Sequence, residues 1–568
     1  MSLSRISGLI DCRRAWVVAS LTALLGCTSV WSQPADPCAY KEIDVDKYGH
    51  QELRNPPDIV APGGALTTTL EVQYTDPKSI SIAGCPVTLR TYNGQLVGPT
   101  LRVRSGDVMN VRLDNRLPRE TPNEVQQQYV QESGNAFLAT QPNSFNTTNL
   151  HTHGLHVSPS GNSDNVLLAI GPQTSFPYEI KLPRNHPAGS FWYHAHAHGS
   201  TSIQVGSGMA GALVIEDDET KIPLALREAN KREKVLVFQT ILYNTRGRLD
   251  DITALFPSAP TPSDCTQSQY KDTWTCAKRR ITINGQIVPI IKMQPGEVQR
   301  WRMIDTAFRE TINVQLEGHA LNEIALDGLY LGRVDTWPAG SSINLAPGYR
   351  SDVLVQANAK PGKYRLLKTA RTAELSLRSV AESESVLAIV EVAGQPMQMQ
   401  LPTSAEMAPL APFPGVDLSK MAADPADKSP VGLQNAVFEI SGPPKGNQAY
   451  FQINYQAFNP TRNRQLILNG IDQWQLIAVG APHVFHIHVN PFQYSRIGPD
   501  GQPEMVWKDT LLLPKSSGIK PIIMYTRYLD YIGQFVMHCH ILDHEDLGMM
   551  EVDEVVPDTS GLARSHHH

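Results

Sequence analysis

The sequence carries no marked excess of charge of either sign. Acidic residues number 55 against 49 basic ones, so no strong field draws the chain toward nucleic acid or an anionic membrane surface. It has no low-complexity block, and its apolar run from Ala15 to Val30 is too short to span a bilayer as a mature helix. Cysteine is scarce, with seven in 568 residues. Proline (42) and glycine (40) are plentiful and scattered between short apolar runs. That texture predicts many short strands joined by turns rather than long helices, in a chain long enough for three or four domains.

The two ends stand outside the fold. Arg5, Arg13 and Arg14 precede the apolar run, the pattern of an export signal, with cleavage expected after Ser32. Two variants fit. Arg13–Arg14 before Trp16 and Val17 resembles a twin-arginine signal, whereas Leu24-Leu25-Gly26-Cys27 resembles a lipoprotein box that would leave the chain lipid-anchored at Cys27. A periplasmic or secreted location is expected either way. Arg564-Ser565-His566-His567-His568 has the form of a purification tag and is set aside.

The cysteines fit an oxidising compartment. Cys12 and Cys27 lie in the leader, and Cys265 and Cys276 bracket a polar loop of a kind often closed by a disulfide. Cys38 and Cys85 then form a second candidate pair. Cys539, between two histidines, needs a separate explanation.

Two units recur at domain-sized spacing. One is a strand, a Gly turn and a second strand: Leu101 to Leu113 around Gly106, Ile290 to Met303 around Gly296, and, more loosely, Leu466 to Trp474 around Gly470. The other is a Gly followed by an aromatic-rich strand, beginning at Gly189, Gly362 and Gly533. Three related β-sandwich domains are expected: 33–225, 226–395 and 431–557. A connection with seven prolines, 396–430, is expected to be unstructured. Five residues after the glycine stand His194, Leu367 and His538, followed by Ala195, Lys368 and Cys539. The outer domains can therefore bind metal on this strand and only the third can add a thiolate. The middle domain is expected to be a spacer or the wall of a substrate site.

Ten histidines form four clusters: His151 and His153; His194 and His196; His483, His486 and His488; and His538, His540 and His544. Residues two apart on a strand point to one face, so each His-x-His pair offers two donors to one site. Cys539 faces away from His538 and His540 and belongs to a different metal. His544 and Met549 follow it at loop spacing, and His483 lies outside the His-x-His pairs. Two His, one Cys and a Met are the donors of a blue-copper electron-transfer site, whereas zinc prefers four strong donors and does not use Met.

These motifs closely resemble those of the three-domain multicopper oxidases: laccases, bilirubin oxidases and bacterial cuprous oxidases. The match is closest at His151-Thr-His-Gly154 and at the run from His538 to Met550. Thr152 stands where the family often has Trp. The resemblance implies an all-β fold of three cupredoxin-like Greek-key sandwiches and four copper ions per chain. It implies type 1 copper on His483, Cys539 and His544 with Met549 axial, and type 2 copper on His151 and His486. The coupled type 3 pair falls to His153, His194, His196, His488, His538 and His540. Asp164 and Glu545 are the implied proton-handling acids. The implied activity is one-electron oxidation of a small-molecule or metal-ion reductant coupled to four-electron reduction of O2 to water, in a monomer. Phenols and related aromatics are the expected donors, with Cu(I) or Fe(II) oxidation in copper tolerance, or bilirubin oxidation, as alternatives.

Other classes fit the donor count less well. A cupredoxin electron carrier would leave most of the histidines idle, a copper nitrite reductase lacks a full type 3 set, and a non-enzymatic relative would have lost donors. His156 and His198 match no ligand position, and supporting or surface roles are expected. His319 is expected to be a hydrogen-bonded structural residue, and His50 and His186 have no assigned role. Met397, Met399, Met407 and Met421 are irregularly spaced and are expected to lie in the unstructured connection rather than to bind Cu(I).

Overall fold

The computed structural model describes residues 37–38, 42–120, 140, 142–249, 278–424, 426–427, 429–441, 450–515 and 520–557. The expected leader with Cys27, the loop cysteines Cys265 and Cys276, and the tail from 558 lie outside the described residues. Among the described residues, no helix is long and apolar enough to cross a membrane.

Both recurring units become strands. The first gives Thr100–Val103 with Val108–Asn115, Ile290–Met293 with Val298–Asp305, and Asn463–Ile467 with Ile471–Val479. Along Val108–Asn115 every second side chain is buried, the half-buried alternation its sequence shows. Gly106 and Gly296 turn with φ of 89° and 75°. In the third copy Asn469 takes the left-handed conformation instead, at φ 62°, which Asn tolerates better than most residues. The second unit gives Gly189–His194, Gly362–Lys368 and Gly533–Cys539.

The three copies occupy equivalent places in three five-stranded sheets. In sheet order the first holds Asp58–Val60, Thr100–Val103, Ala210–Ile215, Gly189–His194 and His151–His153. The middle one holds Ile290–Met293, Ser385–Val392, Gly362–Lys368, Ile312–Leu316 and Ile343–Leu345, and the third Asn463–Ile467, Met550–Val556, Gly533–Cys539, His483–Ile487 and Thr510–Leu513. In each, a strand of the first unit runs parallel to its neighbour, and that neighbour pairs antiparallel with the Gly-led strand. Second sheets of four, six and six strands complete the sandwiches. Leu66, Leu70 and Val111 from one sheet of the first domain meet Leu101, Tyr193 and Leu213 from the other in one core. A single larger core runs through the middle and third domains.

Cys38 and Cys85 form a disulfide, as paired in the sequence reading. The Pro-rich connection departs from expectation. It forms the short helices Ser404–Met407 and Leu418–Ala423, the first closed by a Thr403–Glu406 capping box and the second capped by Asp417. Met407 is fully buried beside Leu226, Tyr330 and Leu354, and Met399 Sδ accepts from the Val298 N–H at 3.3 Å. These methionines anchor the segment to the middle domain: apolar burial and local caps outweigh its proline content.

Candidate metal centre

The donor residues sit on adjacent strands of the five-stranded sheets. His151 and His153 lie opposite His194 and Trp192, and His486 opposite His538. Cys539 lies opposite Phe485, on the other face. The equivalent strands of the middle domain, Ile312–Leu316 and Gly362–Lys368, hold no histidine. All ten donor histidines are buried.

Eight of them converge where the first and third domains meet, and the hydrogen bonds at their backs fix which nitrogen faces inward. Nδ1 of His151 meets both oxygens of Asp164 at 3.1 Å. Nδ1 of His194 donates to the Ala195 carbonyl at 2.9 Å, and Nδ1 of His486 to the Asp509 carbonyl at 2.8 Å. Nδ1 of His196 and of His538 face Glu545 at 3.4 and 3.2 Å. A hydrogen held on the outer nitrogen leaves a lone pair on Nε2. Nε2 of His151, His194 and His486 has no partner, while His538 Nε2 lies 3.1 Å from His196 Nε2 and 3.3 Å from His488 Nε2. His153 is reversed: its Nε2 meets Thr510 Oγ1 at 3.1 Å and its Nδ1 has no partner. Neither ring nitrogen of His540 has a partner.

Buried polar atoms without partners cost stability unless they serve a ligand. Burial keeps these imidazoles neutral, lowering His194 to about 3 and His486 to about 4, so their lone pairs are free at neutral pH. Triples such as His151, His486 and His488, or His196, His488 and His538, hold their donor atoms within 4.8 Å of one another. Imidazole donors suit copper, as they also suit zinc, iron and nickel.

The second site is a triangle. Cys539 Sγ lies 3.5 Å from His483 Nδ1 and 3.8 Å from His544 Nδ1, and the two nitrogens are 3.4 Å apart. Donors held about 2.0–2.3 Å from one ion in a trigonal arrangement stand roughly 3.5–3.8 Å from each other. Burial pushes the Cys539 thiol up to about 12, so a metal must displace its proton. Met549 is buried in the same core as Cys539, and its carbonyl accepts from the Cys539 N–H at 3.0 Å. Met550 packs elsewhere, with Val166, Phe458 and Val536.

Both acids singled out in the sequence stand at the histidine cluster. Burial raises Asp164 to about 7 and lifts Glu545 far above the carboxylate range, where the neighbouring Asp546 adds to the rise. Sequence reasoning missed Asp546, Asp509 and Arg350. Asp546 accepts from the backbone N–H groups of Gly199, Thr201 and Ser202, serving from another domain the helix Thr201–Ser207 that has no side-chain cap of its own. Asp509 lies 3.3 Å from His153 Nε2, and Arg350 binds both its carboxylate oxygens. The sequence cue was a Lys–Asp pair inside an otherwise apolar stretch, since charged side chains are seldom buried without partners.

The remaining histidines are accounted for. His319 is hydrogen-bonded at both ring nitrogens, to the Glu317 carbonyl and the Asn358 N–H. His156 bridges the Val489 carbonyl and Asp530, His186 accepts from the His156 N–H, His198 packs on Phe458, and His50 is exposed.

Three family models, each described as multicopper oxidase, match residues 75–142 and 127–220, residues 253–384, and residues 425–558. A laccase of Bacillus stratosphericus is 24% identical over 515 residues, covering 83% of this chain and 91% of the relative. A multicopper oxidase of Staphylococcus aureus is 23% identical, covering 81% and 82%. Among solved structures, a multicopper oxidase from Campylobacter jejuni described as a metallo-oxidase superposes with a TM-score of 0.67 at 22% identity, covering 90% of this chain and 97% of that one.

Proposed function

The chain belongs to the multicopper oxidase family, and on that premise we propose that it oxidises phenols and related aromatics one electron at a time and delivers four electrons to O2, forming water. The observation that carries this reading is the conjunction of the Cys539–His483–His544 triangle with eight converging imidazoles, linked through the chain where Cys539 sits between His538 and His540.

Four coppers belong to the proposal. His483, Cys539 and His544 would hold the first, with Met549 as an added weak donor, and His151 and His486 the second. His153, His194, His196, His488, His538 and His540 would hold the remaining two. Bound there, copper supplies one-electron exchange at the thiolate and multi-electron capacity at the cluster. The chain supplies the rest. The covalent path through Cys539 to its two neighbouring histidines connects the sites. Glu545, set between His196 and His538 and raised by burial and by Asp546, is placed to give a proton where O2 reduction consumes one, and Asp164, raised by burial to about 7, is placed to take up and release a proton near neutrality.

Phenols as donors find support in the name laccase carried by the Bacillus stratosphericus relative. Export, a monomeric state, the option of a lipid anchor at Cys27 and the domain limits at 225, 395 and 430 belong to the same proposal. Oxygen uptake measured side by side with a phenol, Cu(I) and Fe(II) tests it. Fastest turnover with the phenol is expected, and faster turnover with either metal ion would assign the protein to metal oxidation instead. Four coppers per chain would support the oxidase reading, and one or none would remove it.

A further inference from the structure

The middle domain supplies no histidine to the cluster, yet it reaches it. Its Arg350 is fully buried and spans the junction of all three domains. Nη1 and Nη2 donate to Asp509 Oδ1 and Oδ2 at 2.7 and 2.5 Å, a bidentate pair. The same guanidinium donates to the Ser190 carbonyl in the first domain and to the carbonyls of Asp327 and Gly348 in its own.

The tight packing here explains two glycines. Gly154, with φ of 91°, faces the pair directly: a β-carbon there would overlap Arg350 Nη2 and stand 2.7 Å from Asp509 Oδ2. Gly348, with φ of 86°, lies against the cluster itself, where a β-carbon would stand 3.1 Å from His153 Cε1 and 3.2 Å from His540 Nε2.

Asp509 then dictates which way the hydrogens point. Thr510 has one hydroxyl hydrogen, and it donates it to Asp509 Oδ1 at 2.7 Å. Toward His153 Nε2 and His486 Nδ1, both 3.1 Å away, Thr510 Oγ1 can therefore only accept. The Asp509 carbonyl also accepts from His486 Nδ1. Both histidines must carry hydrogen on these outer nitrogens, so His153 Nδ1 and His486 Nε2, each without a protein partner, are left to face the cluster.

Resting on the copper reading above, we propose that Arg350 and Asp509 are positioning residues for the O2-reducing site: the Arg350–Asp509 pair, through Thr510, fixes the tautomer of His153, and so makes the middle domain part of that site. The guanidinium holds the carboxylate in place, the carboxylate takes the threonine hydrogen, and the hydroxyl oxygen orders the His153 ring. Supports of this kind typically contribute about 10–100-fold in metal affinity.

The test uses the full-length, copper-loaded protein. Copper content, the type 2 electron paramagnetic resonance signal, the near-ultraviolet band of the coupled pair and the blue band of the thiolate site are followed during titration with a chelator. Asp509→Asn places an amide against the Arg350 fork, and it is expected to lose the near-ultraviolet band of the coupled pair at about 10–100-fold lower chelator concentration while keeping its blue band. Arg350→Lys, which keeps the charge but loses the fork, is expected to do the same and serves if Asp509→Asn does not fold. The control is Arg496→Gln. Arg496 also ties the third domain to the middle one, through Glu323 and Asp335, and that variant is expected to keep wild-type copper retention. Unchanged retention in both Asp509→Asn and Arg350→Lys would overturn the proposal, as would equal loss in Arg496→Gln, which would reduce the effect to domain adhesion. Loss in Thr510→Val with none in Asp509→Asn would assign the role to the hydroxyl alone and overturn it as well. A wild-type protein without a type 2 signal would instead overturn the copper reading on which the proposal rests.

Discussion

Cys539 Sγ lies 3.5 Å from His483 Nδ1 although 56 positions separate the two residues in the chain. Cys539 is also the one free cysteine among the described residues, and the only residue placed to give a thiolate to the triangle. Cys539→Ser is therefore expected to abolish the intense blue colour and oxidase turnover while leaving copper at the other three positions. His538 and His540 keep their strand positions in that variant, so the cluster keeps its donors. Copper analysis with visible spectroscopy checks it, and a surviving blue band would show the triangle to be misassigned.

Protons give a second expectation. Glu545 reaches His196 and His538 with its two oxygens, and Asp164 reaches His151. Glu545→Gln and Asp164→Asn remove the exchangeable acid with little change in shape. Each is expected to slow reoxidation by O2 about a hundredfold or more, with a much smaller effect on reduction by the donor. Stopped-flow measurement of the two half-reactions separates them, and equal slowing of both would count against the relay.

The clustering of the candidate donors was legible in the sequence for a physical reason. They lie on strands, where the two-residue period writes a shared face directly into the sequence as His-x-His, and Cys539 interrupts that period at a point where only a second site makes sense. Arg350 and Asp509 carry no such local pattern. His153 and Asp509 meet across 356 positions, and the contact exists only because three sandwiches close on one point. The middle domain's missing histidines predicted a spacer or wall, which captures its lack of donors but not the reach of Arg350 and Gly348. The connection misled in the opposite way. Its prolines suggested an unstructured segment, but Met407 and Leu418 are buried and its helices are capped.

A third expectation concerns stability. Glu233 is bound by Arg102 at 2.7 Å and Arg302 at 2.5 Å, joining a strand of the first domain to one of the middle domain. Burial alone would raise its pKa, but the charges of Arg302 and Arg102 outweigh burial and hold it at about 2. A carboxylate depressed from about 4.5 to about 2 contributes on the order of 3 kcal/mol above pH 4.5, and loses that contribution as pH falls from 4.5 toward 2. Glu233→Gln should therefore unfold at markedly lower denaturant than the wild type at pH 7, with the gap falling to roughly half by pH 3. A gap that does not change with pH would mean that packing, not charge, holds this junction.

The last expectation separates two adjacent methionines. Met549 shares the core of Cys539, whereas Met550 opens the strand Met550–Val556 and packs with Val166 and Phe458. A thioether is a weak axial donor that stabilises Cu(II) relative to Cu(I) and so lowers the reduction potential. Leu for Met conserves volume, so the exchange should cost less than about 1.5 kcal/mol in packing while removing the sulfur. Met549→Leu is expected to raise the potential of the thiolate site, on the order of tens of millivolts, and to improve oxidation of poorly reducing phenols until electron transfer to the cluster becomes limiting. Met550→Leu, with its side chain in a different core, should leave the potential where it is. Redox titration of the blue band in both variants decides the assignment: a shift in Met550→Leu and none in Met549→Leu would move the axial role to the neighbouring residue.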